Sequence, residues 1–409
     1  MDAALVRRLA SPEGAALFDR IGRYAADAAL ALTTTLRAEG HDPELVTAAL
    51  AQARLRAGAE AKLGPWAATA LLTSDGAEQA TRPELARRHA ERFVAAGVEV
   101  VYDVGCGIGS DATAFAAAGL DVVAVEADPV TAEIARANLA RWPSAEVRQA
   151  RAEELVLPTH RRVGVWLDPA RRVPGVRDRR GRARRIVSLD GMSPSWDQVQ
   201  ELAAGAAAAG AKLAPAFPHS RLPMGAEAQW TSWRGDVLEC VVWWGSAVHA
   251  PGRSAAVCRP AAHDDPTVTV SVVGEADAEV PVGPAPAVTS LAEVGDWVYE
   301  ADPAVVRAGL SGALPGRPLA PGSGWSTGPE PVLLPWLRCH RVQAVLPLRV
   351  KQLRAWLRER DIGTVTVKKR AASVDPEALR AALRGPGRGS VTLLVTTIAD
   401  RQSVVVLGV

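Results

Sequence analysis

The chain has 409 residues, more than one ordinary domain holds, and 48% of them are hydrophobic, so two or three domains with buried cores are expected. The formal net charge is only +2, so any affinity for nucleic acid must come from local basic patches rather than from the overall charge. The sequence contains no evident secretory signal and no membrane-spanning apolar run. Its four scattered cysteines form no Cys-x-x-Cys pair, so neither a disulfide framework nor a zinc ribbon is indicated, and a reducing, cytoplasmic setting is favoured.

Residues 1–72 are predicted to form an N-terminal helical domain. Apolar residues recur every three or four positions between Ala15 and Arg37, and a second helix starts at Asp42 and runs through Glu60. In the segment 74–83 that follows (SDGAEQATRP), Thr81 is suited to be the N-cap of a helix over 83–95.

The most informative stretch is 98–111, VEVVYDVGCGIGSD. A short apolar, β-branched run leads into Asp103, glycines follow at every second position (Gly105, Gly107 and Gly109), and a helical pattern begins. A strand, a tight turn and a helix N-terminus of this kind let the backbone approach a nucleotide-like ligand, because side chains in the turn would block it or require an unfavourable φ. The alternative is an ordinary glycine-rich turn between a strand and a helix.

A second strand is predicted at 120–125, and it ends in Glu126. Glu126 lies about 20 residues after the first glycine, where a doubly wound fold places the carboxylate that accepts hydrogen bonds from ribose hydroxyls. The alternative is that Glu126 only caps the helix predicted at 129–141.

The Gly-x-Gly-x-Gly spacing, with Asp103 two residues before the first glycine, resembles motif I of the class I S-adenosylmethionine (SAM)-dependent methyltransferases. It differs from the Gly-x-Gly-x-x-Gly of dinucleotide-binding proteins, which disfavours a nicotinamide-dependent dehydrogenase. The resemblance implies an α/β fold with a Rossmann-like, seven-stranded methyltransferase sheet, and SAM as the cofactor.

The resemblance also implies which residues bind the cofactor: Asp103 its amino-acid end, Glu126 its ribose, and the glycine turn by close approach of the backbone. Gln79 and Thr81 lie in a Glu-Gln-x-Thr-x-Pro element similar to the segment that folds over the methionine end in RNA methyltransferases. The predicted cofactor-binding residues are Gln79, Thr81, Asp103, Gly105, Cys106, Gly107, Gly109, Glu126, Ala127, Ala152, Glu153 and Asp168.

The fourth strand is predicted at 163–167, and Asp168-Pro169-Ala170-Arg171 follows it. Because ligands bind at the carboxyl ends of such strands, Asp168 and Pro169 are the predicted catalytic residues. Amino-group methyltransferases often carry Asp/Asn-Pro-Pro-aromatic at this place. Ala170 and Arg171 depart from that pattern, which argues against methylation of a base nitrogen. An aromatic ring to replace the missing one would come from Trp196, Trp230 or Trp233, although each of these is equally well explained as a core or surface residue.

Arginines crowd the segment that follows, beginning with Arg171 and Arg172 and ending at Arg185. They are interpreted as a phosphate-binding clamp beside the active site, with a solvated loop as the alternative. Further strands are predicted at 211–214, 226–233 and 237–244. By contrast, 250–330 looks loop-like, with strands only at 268–273 and 297–300, and 315–331 looks like a linker or surface loop.

The C-terminal part is predicted to be a small α/β module of βαβαββ order. Its pattern from Val342 to Pro376 resembles the THUMP-like domain appended to a set of bacterial class I methyltransferases. Because THUMP domains bind RNA, the resemblance implies that RNA is the partner. The predicted substrate- or RNA-binding residues are Arg171, Arg172, Lys351, Lys368, Lys369 and Arg370; a charged, solvated face is the alternative for the C-terminal ones.

These features predict a helical domain (1–72), a methyltransferase domain (73–250), a connecting region (251–335) and a THUMP-like domain (336–409). The expected function is cytoplasmic, SAM-dependent methylation of tRNA or rRNA, without a metal. A small-molecule or protein methyltransferase, and a catalytically silent SAM-binding RNA adaptor, are the alternatives.

Overall fold

The structure is a computed structural model that describes residues 1–159, 161–169, 172–177, 183–185, 189–261, 268–278 and 286–408. They divide into two compact units. The first consists of Met1–Leu213 and Val242–His249, and the second of Ala214–Val241 and Ala250–Val409. The predicted division into four domains remains a prediction.

The first unit begins with five helices: α1 (Ala3–Leu9), α2 (Pro12–Ile21), α3 (Ala29–Ala38), α4 (Pro43–Leu63) and α5 (Trp66–Thr69). The helical nature of this region is confirmed, but one continuous helix over 15–37 is wrong. Helix α2 ends at Gly22, whose φ of +59° favours glycine and stops the helix. The apolar faces of these helices meet in a core that includes the fully buried Leu17, Leu36 and Leu45.

The rest of the first unit is a parallel sheet with connecting helices. The helices are α6 (Ser74–Gln79), α7 (Pro83–Ala95), α8 (Ser110–Ala117), α9 (Pro129–Leu139) and α10 (Trp196–Ala204). The strands are β1 (Val100–Val104), β2 (Asp121–Glu126), β3 (Ala145–Gln149), β4 (Val163–Leu167), β5 (Arg172–Arg177), β6 (Ala183–Arg185) and β7 (Ala208–Leu213).

The parallel strands are ordered β7-β4-β1-β2-β3, while β5 and β6 pair with each other. The chain winds outward from β1 to β3 and then returns to the other side of β1 with β4. The carboxyl end of β1 is therefore the topological switch point, where open α/β sheets bind their ligands.

The chain between α5 and α6 is held by side-chain amides that pair with its backbone. Gln52, on α4, donates to the carbonyl of Leu72 (2.7 Å) and accepts from its N–H (2.8 Å). Asn138, on α9, does the same for Leu71 (3.0 and 2.7 Å) and also donates to the carbonyl of Ile108 in the glycine turn (2.8 Å). Helix α4 and the glycine turn thereby fix the segment that leads into α6.

The second unit begins with strands β8 (Glu227–Trp233), β9 (Asp236–Gly245), β10 (Gly252–Pro260) and β11 (Val268–Gly274), followed by α11 (Glu275–Ala278). Their order is β11-β10-β8-β9, and residues 242–245 of β9 belong to the first unit, beside β7. Strands β1, β2, β4 and β7–β9 correspond to strands that the sequence predicts, β3 completes the seven-stranded sheet that the resemblance implies, and β10 and β11 are additional.

The remainder of the second unit is a seven-stranded sheet of order β13-β14-β12-β15-β18-β17-β16. Its strands are β12 (Trp297–Ala301), β13 (Arg317–Pro318), β14 (Trp325–Gly328), β15 (Leu337–Pro347), β16 (Ile362–Lys369), β17 (Gly389–Ile398) and β18 (Arg401–Leu407). Its helices are α12 (Pro303–Arg307), α13 (Val350–Glu359) and α14 (Pro376–Leu383). The βαβαββ order from β15 onward is confirmed.

The loop-like interpretation of 250–330 is wrong for strands β10, β13 and β14 and for the short helices α11 and α12. Strand β10 is made largely of small residues with weak β-propensity, yet its centre is buried between β8 and β11. Strands β13 and β14 lie within the supposed linker at 315–331, and β14 is buried throughout because it pairs with β12. Glycine and proline around such short strands look like loop signals in the sequence, because the strands form only by pairing with partners that are distant in the chain.

We expect Gln52→Ala to lower the free energy of unfolding by roughly 2–4 kcal/mol, because it leaves the buried N–H and carbonyl of Leu72 without partners. Urea-induced unfolding measures the change. The control is Arg54→Ala, on an exposed position of the same helix. Equal stability of the two variants would contradict the role given to Gln52.

Candidate functional site

Polar side chains follow four neighbouring parallel strands of the first unit. Asp103 and the glycine turn belong to the end of β1, Glu126 to the end of β2, Asp168 comes after β4, and Lys212 lies near the end of β7. Since the carboxyl ends of parallel strands lie at the same edge of a sheet, these residues form one site.

The glycine turn is held against β2 by its backbone. The N–H groups of Gly105 and Cys106 both donate to the carbonyl of Val125, at 2.9 and 3.1 Å. Gly105 has φ +80°, and a Cβ there would lie 3.0 Å from the carbonyl oxygen of Asp168, whereas at Gly107 (φ +55°) a Cβ would meet no atom within 4 Å. Gly105 therefore permits the close approach of two strand ends, and Gly107 leaves open space beside the turn.

Cys106 is buried in this turn, and burial raises the pKa of its thiol well above the ordinary value. A thiol of this kind stays protonated, so it does not act as a nucleophile. The residue fits the turn because it is small.

Glu126 links the turn to the end of β2. One carboxylate oxygen accepts a hydrogen bond from the N–H of Gly107 (3.0 Å), and the other accepts from the N–H of Asp128 (3.0 Å). Helix α9 is capped by Asp128, which accepts from the N–H of Thr131 (2.8 Å). The alternative that Glu126 caps this helix is therefore wrong. Ala127, next to it, is exposed.

Asp103 is a buried carboxyl group with one unsatisfied oxygen. The residue is 1% exposed, and its Oδ2 has no hydrogen-bond partner among the residues that the structure describes. Burial, and then the charges of Asp111 and Asp168, raise its pKa well above the ordinary value. Such an oxygen at the edge of an open turn is suited to a cationic or hydrogen-bond-donating group of a ligand.

Thr81 belongs to a buried hydrogen-bond network. Its hydroxyl donates to Oδ2 of Asp111 (2.6 Å), and Nδ1 of His89 lies 3.0 Å from Oδ1 of Asp111. Burial tends to raise the pKa of Asp111, but the hydrogen bonds from His89 and Thr81 and the charge of Lys212 outweigh burial and lower it. The expectation that Thr81 caps α7 is wrong, because Arg82 occupies the N-cap position.

Lys212 connects this network to the predicted catalytic motif, and the sequence analysis missed it. Its Nζ lies 2.5 Å from Oδ2 of Asp168 and donates to the hydroxyl of Thr81 at 2.9 Å. The side chain of Lys212 is 8% exposed and that of Asp168 is 28% exposed, so the carboxylate still reaches the surface of the site. A lysine inside an apolar strand, in a chain with only five lysines, was the available signal.

The other predicted cofactor residues lie on neighbouring segments. Gln79 is exposed at the end of α6, and Pro169 is buried next to Asp168. Ala152 and Glu153 lie in a short 3₁₀ helix after β3, where Glu153 accepts from the side chain of Gln198 (3.2 Å).

Other predicted residues belong to the acceptor side of the site. Trp196, Trp230 and Trp233 are buried, at 3, 0 and 8% exposure, so they are core residues and not an exposed ring that could replace the missing aromatic. Arg171 lies outside the described residues. Arg172 begins β5, and the structure does not test the proposed arginine clamp.

In the second unit, Lys351, Lys369 and Arg370 are exposed, but Lys368 is not part of that exposed set. Its Nζ lies 2.5 Å from Oε2 of Glu300 and 5.5 Å from the centre of the Trp325 ring. Lys368 is half-buried in this ion pair, which corrects its assignment to the exposed basic surface.

Within the described part of the chain, no group of three or more His, Cys, Asp or Glu side chains could hold a metal ion. Over the same residues, no helix has both the length and the apolar character needed to cross a bilayer.

We expect Asp103→Asn to stabilise the protein, by a margin that grows as the pH rises above about 4. The folded protein keeps a proton on Asp103 that the unfolded chain has already released, so the wild type loses stability as the pH rises through the folded-state pKa. Unfolding by urea at about pH 5 and about pH 7.5 measures this difference. Asp19→Asn, which changes an exposed acid, is the control. A lower stability of Asp103→Asn than of the wild type would contradict the raised pKa of Asp103.

Comparison with known proteins agrees with this architecture. Residues 101–167 match the family described as a methyltransferase domain, residues 337–408 match the THUMP domain-like family, and residues 2–59 match a domain of unknown function, DUF8688. A putative methyltransferase from Porphyromonas gingivalis W83, known from its crystal structure, has a TM-score of 0.69 over 94% of this chain and 99% of its own, at 19% identity, which shows the likeness of fold.

Sequence similarity extends the match beyond the fold. Uncharacterized S-adenosylmethionine-dependent methyltransferases from two strains of Mycobacterium tuberculosis are each 30% identical over 335 residues, which is 80% of this chain and 85% of theirs. The predicted α/β methyltransferase fold, the C-terminal THUMP-like domain and the cofactor SAM are thereby confirmed. The chain belongs to the family of SAM-dependent methyltransferases.

Proposed function

We propose that this methyltransferase acts on RNA, either tRNA or rRNA, and that its THUMP-like domain helps to bind the substrate. The observation that carries the proposal is a cluster of exposed basic residues at one end of the C-terminal sheet. We also propose a cytoplasmic location, because all four cysteines are free.

The topology of the sheet brings these basic residues together from separate parts of the sequence. Strand β16 ends where Lys369 pairs with Val395 of β17, and β17 turns into β18 between Ile398 and Arg401. At the same end, the N–H of Leu348 donates to the carbonyl of Gln402 (3.0 Å), which fixes the start of α13. The exposed cations of this basic end are Arg349, Lys351, Lys369, Arg370 and Arg401.

The basic end has an excess of positive charge. The acids nearby in the topology are Asp400, in the turn before β18, and Asp375, whose carboxylate caps α14 by accepting from the N–H of Glu377 (3.0 Å). Arginine and lysine side chains on three segments are suited to contact successive phosphates of a nucleic acid backbone, whatever its base sequence.

For the first unit, we propose that the glycine turn, Asp103 and Glu126 bind the cofactor. The backbone at Gly107 would lie against the cofactor, because no side chain of the described residues fills the space there. The unsatisfied oxygen of Asp103 would accept a hydrogen bond from the amino-acid end of the cofactor. Glu126 would accept hydrogen bonds from the ribose hydroxyls, using lone pairs that are not engaged by the N–H groups of Gly107 and Asp128. When bound, SAM supplies a methyl group activated by a sulfonium.

Asp168 and Pro169 are the proposed acceptor-side residues. Lys212 fixes one oxygen of Asp168, so the carboxylate is oriented before the substrate arrives. We propose that the second oxygen positions the methyl acceptor.

The direct test incubates the full-length protein with methyl-labelled SAM and with separate pools of total RNA, protein and small molecules. The proposal expects label in the RNA pool, removed by ribonuclease. Label confined to protein or to small molecules would support the corresponding alternative substrate. Binding of SAM without transfer to any pool would support the silent adaptor.

We expect Gly107→Ala to weaken SAM binding at least tenfold, because the new methyl group would project into the open space beside the turn. The positive φ also costs about 1–2 kcal/mol for a residue with a side chain. Gly119→Ala is the matched control, since Gly119 has φ +88° and equally open surroundings outside the site. Calorimetry should find SAM affinity lost only in the first variant; equal affinities would remove the turn from the site.

We expect the double change Lys369→Ala/Arg370→Ala to weaken RNA binding and to reduce the slope of log K against log salt by about 1.5, because two phosphate contacts are lost. Arg384→Ala/Arg388→Ala removes the same charge from exposed positions just before β17, at the opposite end of that strand from the basic end. Filter binding at several salt concentrations distinguishes the two. If both pairs change the slope equally, the basic end is only a charged solvated face.

A further inference from the structure

Lys62 lies in the last turn of α4, beyond the 2–59 family match, and reaches the segment that leads to Gln79. Its half-buried side chain donates from Nζ to the carbonyl of Ala77 (3.1 Å) and to that of Glu78 (2.5 Å). Three residues after Glu78, the hydroxyl of Thr81 accepts from Lys212, which pairs with Asp168. Lys62 therefore contacts the segment just before Thr81 from the N-terminal helices, and Lys212 contacts Thr81 itself from the sheet.

Burial and two neighbouring positive charges destabilise the ammonium form of Lys62. Burial lowers its pKa most, followed by the positive charges of Lys212 on β7 and Arg82 before α7, whereas Glu78 on α6 and Asp168 after β4 act in the opposite direction. The result is a pKa of about 8. A lysine with a pKa near neutrality exists partly as the free amine, which is the form that can accept a proton.

The hydrogen bonds of Lys62 are compatible with that neutral form. A neutral amine has two N–H groups and one lone pair, so both carbonyl contacts can persist after the third proton has left. The remaining lone pair is the position at which the amine can accept a proton. The carbonyls thus orient the amine.

We propose that Lys62 accepts the proton of the methyl acceptor, and that the acceptor atom is a hydroxyl oxygen, which in an RNA substrate is the ribose 2′-hydroxyl. The inference rests on the proposed RNA function and specifies the atom. As the acceptor oxygen uses a lone pair to bond to the methyl carbon, its O–H bond breaks and the proton goes to Nζ of Lys62. The electron pair of the methyl–sulfur bond stays on sulfur, which loses its positive charge.

The arrangement suits a hydroxyl better than a base nitrogen for two reasons. An alcohol must lose its proton as the new bond forms, whereas a ring nitrogen with a free lone pair needs no base. In addition, the ammonium of Lys212, 2.5 Å from Asp168, offers positive charge to a developing alkoxide, while the sequence after Pro169 provides no aromatic ring to stack on a base.

The position of the methyl group tests the acceptor. RNA labelled by the full-length protein is hydrolysed with alkali, which cannot cleave the phosphodiester next to a 2′-O-methyl ribose. We expect label in alkali-resistant dinucleotides. Label in mononucleotides would mean base methylation and would overturn the inference while leaving the RNA function intact.

The variant Lys62→Arg tests the proton acceptor, because a guanidinium keeps the charge but cannot accept a proton near neutral pH. We expect at least about a 100-fold loss of methyl transfer with RNA binding unchanged within about twofold. The wild-type rate should rise with pH up to about 8, and this rise should be absent from the variant. Arg54→Lys, an exposed cation exchange on the same helix, is the control.

A direct titration decides the matter without turnover. Reductive methylation with ¹³C-formaldehyde labels the five lysines and the amino terminus, and the Lys62 signal is the one missing from Lys62→Arg. We expect its midpoint near 8. A midpoint above about 10, the ordinary range of lysine, or activity of Lys62→Arg within threefold of wild type, would overturn the proposal.

The class of the labelled product separates this inference from the proposed function. If label enters protein or small molecules instead of RNA, the proposed RNA substrate is wrong. The role of Lys62 is then still decided by its titration and by whether the methyl group in that product is bonded to oxygen, as the inference expects, or to nitrogen. Should Lys62→Arg fail to fold by thermal unfolding, Lys62→Gln, which keeps a donor for the carbonyls, takes its place.

Discussion

The site of this methyltransferase depends on charges that are removed from water and must compensate one another. Asp111 and Lys212 are buried near the carboxyl edge of the sheet, where an isolated ion would be costly, and burial raises the pKa of the neighbouring Asp103. Lys212 compensates Asp168, while Thr81 and His89 compensate Asp111. Asp103 retains an oxygen without a hydrogen-bond partner among the described residues, so a ligand that donates a hydrogen bond to this oxygen would satisfy a buried polar atom.

This network also explains why separate motifs act as one site. Thr81 lies before the first strand, Asp168 after the fourth and Lys212 near the end of β7, yet direct hydrogen bonds and an ion pair join them. A change at any one of them leaves a buried polar partner unsatisfied, so the segment around α6 and the Asp-Pro motif are coupled.

The N-terminal helices take part in this arrangement. Three side chains of α4 bond to the backbone between residues 69 and 78: Gln52, Arg56 and Lys62. Each of these side chains donates to at least one backbone carbonyl of that segment. Because α6 has only six residues, it has little stability of its own and relies on this support.

The sequence by itself determined the parts of the fold that depend on local patterns. The glycine turn, Glu126 at the end of β2 and Asp168 after β4 are adjacent to strong strand signals, so their places could be predicted from spacing and from the fixed geometry of parallel strands. The same holds for the βαβαββ order of the C-terminal module, whose elements alternate in clear hydrophobic periods.

Only the tertiary structure decided which side chains meet. Lys62 and Lys212 carry no local motif, and Lys368, in a basic run, turned out to pair with Glu300, 68 residues away. Strands β10 and β14 likewise form because distant partners bury them. Local sequence determines backbone preferences and the amphipathic faces of helices and strands. The pairing of buried charges and of weak strands depends on long-range contacts, which contribute stabilising free energy only in the folded chain.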